Sequence, residues 1–384
     1  MRRDELIEQA AVLGRTFEGR AERHDREASF PFDDFADLRA AGFLALCIPE
    51  DHGGLGADFA TYARVSAELA RYAPATALAF NMHCVTMMLT GQIADELSWD
   101  PDDDAVREER RARLYAGVVE DGELHAQPFS EGQAVGALAG YGTTAEPVDG
   151  GFLVTGKKIF ASLSDAADLH NVVAVAPGDD RIRFLGVPKD AEGLRIEGEW
   201  DPVGMRATSS RTLVMQRVFV PAENEWLPPG GFDQAATRWP HFYLTLSFTY
   251  VGLTKGVLDH TRRYLVESGR GGHAVKQHGW AEMQLAAERA EALMHRVVDE
   301  AGVDPSREQV RRAWASMVTS METAPEVAST ALRVCGGRSL LKPQPLERLY
   351  RDARCGATML PWAVDVCLER LGRYGLVDDE APPA

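Results

Sequence analysis

The spacing of apolar residues divides the chain into three parts. Residues 1–120 repeat apolar positions at intervals of three and four, as in "FATYARVSAELARYAPATALAF", which predicts helices. Residues 121–228 contain short runs rich in Val, Ile, Phe and Thr between Gly, Pro and Asp, which predict strands. Residues 229–384 return to long helical repeats. The pattern predicts an α+β multidomain fold with an N-terminal helical domain, a middle β domain and a C-terminal helical bundle.

Acidic residues outnumber basic residues along the chain. The 384 residues include 58 Asp and Glu against 41 Lys and Arg, a formal net charge of -17. Binding to nucleic acid or to an anionic membrane surface needs a basic patch, so we expect neither partner. No apolar run reaches the length of a membrane span, and "MRRDELIEQAAVLGRTF" lacks the apolar core of a secretion signal. We therefore expect a cytoplasmic protein.

The cysteines are odd in number, widely spaced and set in apolar contexts. These spacings support neither a disulfide framework nor a zinc cluster. We expect buried free thiols and no bound metal. The five residues are Cys47, Cys84, Cys335, Cys355 and Cys367.

Four longer stretches follow one another in a familiar order. They are "FADLRAAGFLALCIPEDHGGLGAD", "GFLVTGKKIFASLSDAADLHNVVAVA", "WDPVGMRATSSRTLVMQRVFVPAE" and "LRVCGGRSLLKPQPLERLYRDAR". Together they resemble the acyl-CoA dehydrogenase family over nearly the whole chain. The resemblance implies an N-terminal helical domain, a middle β barrel and a C-terminal four-helix bundle. It also implies a homodimer or homotetramer, with FAD held between the β domain and the bundle.

The resemblance assigns six residues to the flavin. Two belong to "HAQPFSEGQ", two to "KKIFASLS" and two to "CGGRS", although "FSEG" is also typical of a strand-ending turn and a Gly pair of a helix C-cap. The period of two along a strand predicts that the aromatic and hydroxyl residues of "KKIFASLS" share one face. The six residues are Phe129, Ser130, Phe160, Ser162, Gly336 and Gly337.

The chain departs from the family where a partner subunit would contact FAD. Family members carry Arg, Phe and Gln after the first bundle helix, and here Ser268, Gly271 and Gly279 stand at those positions. Arg270 or Gln277 could substitute after a shift of register. FMN therefore stays open as an alternative to FAD.

The catalytic base of the family is absent from both of its known positions. Leu360 stands at the later position and Phe242 at the earlier one, and neither side chain takes a proton. We expect both to face the cavity beside the reactive edge of the flavin. His241 is the candidate replacement base, with Tyr243 and Asp365 as further candidates.

Three functions fit these residues. The favoured one is α,β-dehydrogenation of an acyl-CoA or acyl-carrier thioester with an atypical base and an electron-transfer partner. The second is a two-component flavin monooxygenase of the same fold, which takes reduced flavin from a reductase. "RDARCGATMLPW" and "GMRAT" resemble that branch, and His83 and Ser162 match its polar groups, whereas Met359 and Leu360 replace its His-Asp pair. The third, suggested by "SGRGG", is an inactive subunit of a hetero-oligomer.

Overall fold

The computed structural model describes residues 2–132, 141–342 and 344–377, and it orders the elements as helices, strands and helices. The first helices are α1 (Arg3–Glu27), α2 (Phe32–Ala40), α3 (Phe59–Ala70), α4 (Pro74–Thr90), α5 (Gln92–Glu96) and α6 (Pro101–Ala116). The strands are β1 (His125–Ala126), β2 (Thr144–Val148), β3 (Gly151–Ala161), β4 (Leu169–Ala176), β5 (Asp179–Pro188), β6 (Leu194–Glu197) and β7 (Arg211–Pro221). The last helices are α7 (Gly231–Arg238), α8 (Thr245–Glu267), α9 (Ala274–Asp299), α10 (Arg307–Cys335), α11 (Pro345–Ala353) and α12 (Val364–Leu376).

The two central N-terminal helices are apolar on nearly all sides. Almost every residue of α3 and α4 is buried, because the sheet and the C-terminal helices cover the faces that a surface helix would expose to water. The side chain of Asp58 caps α3 by accepting a hydrogen bond of 2.7 Å from the Thr61 N–H. None of the described helices combines the length and the apolar character that crossing a bilayer requires.

The strands form one curled sheet, which is the form that the expected β barrel takes. Its order is β1-β4-β2-β3-β7-β6, with β5 paired to β4. The longest ladder is the antiparallel pair β3 and β7, and its register shifts twice, between Val154 and Gly156 and between Lys158 and Ala161. Irregularities of this kind bend a strand and re-aim its side chains.

The second register shift changes how the end of β3 presents its side chains. Phe160 has φ of 53°, in the left-handed region, and the Ser162 N–H donates to its carbonyl at 2.9 Å. The period of two therefore fails between these residues, because Ser162 lies in a turn beyond the last strand residue, Ala161. The ring of Phe160 is 65% exposed, whereas Ser162 is half-buried.

The C-terminal bundle joins the N-terminal helices through an unusually close helix contact. Helices α8, α9, α10 and α12 pack together, and α8 also packs along α3. A Cβ atom placed on Gly252 of α8 would lie 2.0 Å from the Ala67 carbonyl oxygen, and one on Gly256 would lie 2.2 Å from that of Arg71. Only glycine allows the backbones of α3 and α8 to approach this closely.

We predict that Gly252→Ala lowers the free energy of unfolding by about 2 kcal/mol or more, because the new methyl group must push two buried helices apart. The matched control is Gly372→Ala in α12, where an added Cβ meets no atom within 4 Å. That variant should be neutral or gain about 0.5–1 kcal/mol from helix propensity. Urea unfolding of both variants checks the prediction, and equal effects would contradict it.

Candidate flavin site

Two of the segments that sequence analysis assigns to the flavin lie side by side. The backbone N–H of Ile159, on β3, donates to the carbonyl of Ser130 at 2.7 Å. This bond places Phe129 and Ser130 next to the end of β3, where Phe160 and Ser162 lie. The structure therefore brings together four of the six assigned residues at one edge of the sheet.

A chain of hydroxyl groups leads away from Ser162. Its Oγ lies 2.8 Å from Oγ of Ser210, which lies 2.6 Å from Oγ1 of Thr208. Because Thr208 donates its only hydroxyl proton to the Met205 carbonyl at 3.0 Å, Thr208 accepts from Ser210 and Ser210 accepts from Ser162. The oxygen of Ser162 is left as a hydrogen-bond acceptor. Neither Thr208 nor Ser210 is predicted from the sequence, although "GMRATSSRT" contains both.

The ring of Phe160 offers a flat apolar surface beside this hydroxyl chain. Its one described aromatic neighbour is Trp200, edge-on with ring centroids 6.3 Å apart. An aromatic ring that is 65% exposed and held in a left-handed backbone conformation is poorly explained by packing alone. Both features suit a side chain that covers a planar ligand.

A row of aromatic rings runs from Phe129 through Phe242, at one of the two positions where the family carries its base, to Trp362. Phe242, at the earlier position, is only 2% exposed because it packs between Phe232 and Tyr243. Leu360, at the later position, is 43% exposed and precedes Trp362 by two residues. Leu360 is thus the more exposed of the two, and the place of both residues beside a flavin cavity stays a prediction. The ring pairs are Phe129–Phe232 at 5.0 Å, Phe232–Phe242 at 6.1 Å, Phe242–Tyr243 at 4.1 Å and Tyr243–Trp362 at 5.5 Å.

His241 is sealed inside the protein. Neither ring nitrogen has a hydrogen-bond partner among the described residues, and burial lowers the pKa of His241 to about 4. Its ring lies edge-on to Trp239 at 5.8 Å. The other two candidate bases differ from it, because Tyr243 belongs to the aromatic row and Asp365 lies on the exposed side of α12. No described contact joins His241 to Ser162 or Phe160.

His83 serves the packing between helix α4 and the sheet. Its Nε2–H donates to the Leu44 carbonyl at 2.7 Å, and its Nδ1 accepts from the His125 N–H at 3.1 Å. Both nitrogens are therefore occupied, and burial lowers the pKa of His83 to about 3. These bonds give His83 a structural role and leave it no free donor for a ligand.

Two polar residues near the aromatic row, one buried and one half-buried, are not predicted from the sequence. Gln127 is 8% exposed, and its Nε2 has no hydrogen-bond partner within the described parts of the chain. Asp233, next to Phe232, accepts a hydrogen bond of 3.0 Å from the Ile182 N–H, and burial raises the pKa of its carboxyl. No local motif marks either residue, because the fold alone buries them.

The glycine pair after α10 forms a helix cap. Gly336 has φ of 86°, its N–H donates to the Leu332 carbonyl, and its own carbonyl accepts from the Ser339 hydroxyl at 2.7 Å. Gly337 begins the 3-10 turn that follows. At Gly279 of α9 a Cβ would lie 2.5 Å from a methyl carbon of Val334, so helix packing leaves no room for a side chain there.

The residues at the end of β3 fit a flavin ring. A flavin needs an apolar wall and hydrogen-bond partners at its ring edge, and Phe160, Ser162 and Ser130 supply these. Ser268, Gly271 and Gly279 stand where the family carries the side chains that contact the FAD of a partner subunit, and a substitution by Arg270 or Gln277 stays a prediction. Among residues 2–132, 141–342 and 344–377, no group of three or more His, Cys, Asp or Glu side chains could hold a metal ion.

Comparisons with known proteins agree with this architecture. Three family models match in order, namely the acyl-CoA dehydrogenase N-terminal domain at residues 8–95, the middle domain at residues 126–218 and the C-terminal domain at residues 230–360. The solved structure of FMN-bound TdsC from Paenibacillus sp. A11-2 superposes with a TM-score of 0.86, at 23% identity and over 99% of each chain.

Two curated relatives cover nearly the same span. YdbM of Bacillus subtilis, whose name assigns it provisionally to the acyl-CoA dehydrogenases, is 28% identical over 91% of each chain. L-evernosamine nitrososynthase of a Micromonospora species is 29% identical over 92% of this chain and 85% of its own. The chain therefore belongs to the acyl-CoA dehydrogenase family of flavoenzymes.

Proposed function

We propose that the protein is a flavin monooxygenase that uses reduced FMN, supplied by a partner reductase, and molecular oxygen. The observation that carries this proposal is that apolar side chains stand at both of the family's base positions, Phe242 within the aromatic row and Leu360 two residues before Trp362. A dehydrogenase must remove the α-proton of its thioester, and Phe242 and Leu360 provide no group that accepts it. An oxygenase needs instead a site that restricts water, and the largely buried aromatic row favours such a site.

The order of donors and acceptors along the hydroxyl chain favours the binding of reduced flavin over oxidised flavin. N5 of a reduced flavin carries a hydrogen, whereas N5 of an oxidised flavin accepts one. The Ser162 oxygen is an acceptor because its own proton is donated to Ser210. Ser162 therefore suits the reduced form better than the oxidised form.

The cofactor and the partners follow from the same residues. When bound, reduced FMN supplies the two electrons that reduce one atom of O2 to water while the other atom enters the substrate. FMN is favoured over FAD because Ser268, Gly271 and Gly279 replace the side chains that would hold the adenine half.

Exposed apolar residues on α9 and α12, including Leu285 and Leu368, favour a homodimer or homotetramer.

Dehydrogenation of an acyl thioester is the second candidate, and one observation favours it. Asp233 is a half-buried carboxylate with a raised pKa beside Phe232, and it could replace the missing Glu as the proton acceptor. His241, the base that sequence analysis favoured, is less suited because it is sealed from open space.

Anaerobic flavin titration separates these functions. We expect reduced FMN to bind more tightly than oxidised FMN or FAD, and we expect no acyl-CoA to bleach bound oxidised flavin. Tightly bound FAD that bleaches with an acyl-CoA would establish the dehydrogenase, and Asp233→Asn should then abolish the bleaching. Failure to bind any flavin in either redox state would favour the inactive subunit.

We predict that Phe160→Ala and Ser162→Ala each weaken the binding of reduced FMN by about tenfold, because each removes a direct contact with the ring. Phe219→Ala is the matched control, since Phe219 on β7 is also an exposed phenylalanine of the sheet, at 45%. Fluorescence or absorbance titration under anaerobic conditions measures all three. Unchanged affinity in both test variants would place the flavin elsewhere.

We predict that His241→Phe makes the protein less sensitive to acid. The folded-state pKa of about 4 lies below the ordinary 6.5, so this group stabilises the fold above pH 6.5 and loses that contribution as the pH falls towards 4. The difference corresponds to about 3 kcal/mol of pH-dependent unfolding free energy, which the variant should lack. His278→Gln is the control, because that side chain is 77% exposed. If His241→Phe instead keeps the acid sensitivity and loses activity at neutral pH, a catalytic role is supported.

A further inference from the structure

Two adjacent lysines precede Phe160, and the fold gives them opposite environments. Lys157 is exposed and has no described partner, whereas Lys158 is completely buried. Successive side chains on a strand point to opposite faces, so the pair places one ammonium group in water and the other inside the sheet. A fully buried ammonium is costly unless other groups satisfy it.

In the described parts of the chain, three groups surround the Lys158 ammonium. Its Nζ donates to Glu131 Oε1 at 2.5 Å and to the Val173 carbonyl at 2.8 Å, and it lies 4.9 Å from the centroid of the Tyr141 ring. Burial lowers the pKa of Lys158 to about 8, and the neighbouring Glu131 limits that decrease. The ammonium is therefore charged at neutral pH, and Glu131 is the one carboxylate among the described residues that pairs with it.

Glu131 in turn ties two separate parts of the chain together. Its Oε2 accepts from the Gly142 N–H at 2.5 Å, and its Oε1 accepts from the Thr143 hydroxyl at 2.6 Å and the Thr143 N–H at 3.2 Å. Burial alone would raise the pKa of Glu131, but Lys158 and these hydrogen bonds hold it below its usual range. The carboxylate thus stays ionised through the neutral range and above.

The ion pair lies directly beside the candidate flavin residues. Ser130 and Glu131 are consecutive, and they bond to the consecutive strand residues Ile159 and Lys158. One link is a backbone hydrogen bond and the other is a buried, charge-assisted one, which is the stronger kind. Without the second link, the segment that carries Ser130 would be held to β3 at that point by one neutral hydrogen bond.

We propose that Glu131 and Lys158 are positioning residues for the flavin, which together hold Ser130 at a fixed distance from Phe160 and Ser162. Neither residue needs to touch the flavin. The inference rests on the proposed flavin site and assigns a task to two groups that the proposed reaction does not otherwise use. The proposal therefore predicts that the affinity for flavin depends on whether Lys158 is charged.

The test compares Lys158→Met, Glu131→Gln and the double variant with Lys157→Met as matched control. Each single variant should weaken the binding of reduced FMN by about tenfold at a temperature where circular dichroism shows the protein folded. The double variant should bind no more weakly than either single variant, because it leaves no unpaired buried charge. Lys157→Met should bind as the wild type does.

The pH profile supplies a readout that a purely structural role would not change. Between pH 7 and 9 the wild type should bind FMN less tightly as Lys158 loses its proton near pH 8, while Tyr141, whose pKa burial raises to about 12, stays neutral. The double variant should show no such change. If Lys158→Met lowers the melting temperature but leaves FMN affinity and its pH profile unchanged, the inference is wrong.

One further variant, together with the earlier variants Phe160→Ala and Ser162→Ala, keeps the test decisive. If the charge variants do not fold, Thr143→Val removes one hydrogen bond to Glu131 without changing any charge, and it should weaken FMN binding by a few-fold. Unchanged affinity in that variant would count against the inference. If Phe160→Ala and Ser162→Ala also leave affinity unchanged, the flavin site itself is misplaced. If those two weaken binding while Lys158→Met and Glu131→Gln do not, only the positioning role fails.

Discussion

The hydrogen bond between the Ile159 N–H and the Ser130 carbonyl is the contact on which the candidate site depends. It joins two segments about thirty residues apart in sequence, so that Ser130 and Ser162 lie at the same edge of the sheet. The buried ion pair of Glu131 and Lys158 reinforces this hydrogen bond, because Glu131 follows Ser130 and Lys158 precedes Ile159 in the chain. A buried ion pair contributes little net stability, so precise placement is a better explanation for retaining one here.

The proposed chemistry of the site depends on the hydroxyl chain and the aromatic row near this hydrogen bond. On one side the hydroxyl chain through Ser210 ends at the Ser162 oxygen, which can accept a hydrogen bond. On the other side the aromatic row extends from Phe129 to Phe242. Neither of the two positions where the family carries its catalytic base holds a carboxylate. The arrangement combines a largely buried apolar wall with a hydrogen-bond acceptor. Our proposal of oxygen chemistry on a reduced flavin, in place of proton removal from a thioester, rests on these features.

Much of the architecture could be predicted from the sequence, because helical and strand periods differ over long windows and four stretches resemble one family. The resemblance also led to Phe160 and Ser162, which the structure places near Phe129 and Ser130, and their contact with a flavin stays a prediction. The strand period cannot relate the two side chains, because β3 ends at Ala161 and its register shifts against β7 before that residue. Similarly, periodicity could not distinguish Lys157 from Lys158, or show that packing seals His241. Such properties depend on contacts between distant segments, which local patterns do not contain.

The most direct measurement is stopped-flow mixing of the protein and reduced FMN complex with oxygenated buffer, without any substrate. Our account predicts that bound flavin is reoxidised more slowly than free reduced FMN and in more than one phase, because the aromatic wall restricts water at the reacting edge. Reoxidation in a single phase at the rate of free reduced FMN would contradict it. So would a complex that is inert to oxygen and gains or loses its flavin colour only with an acyl-CoA.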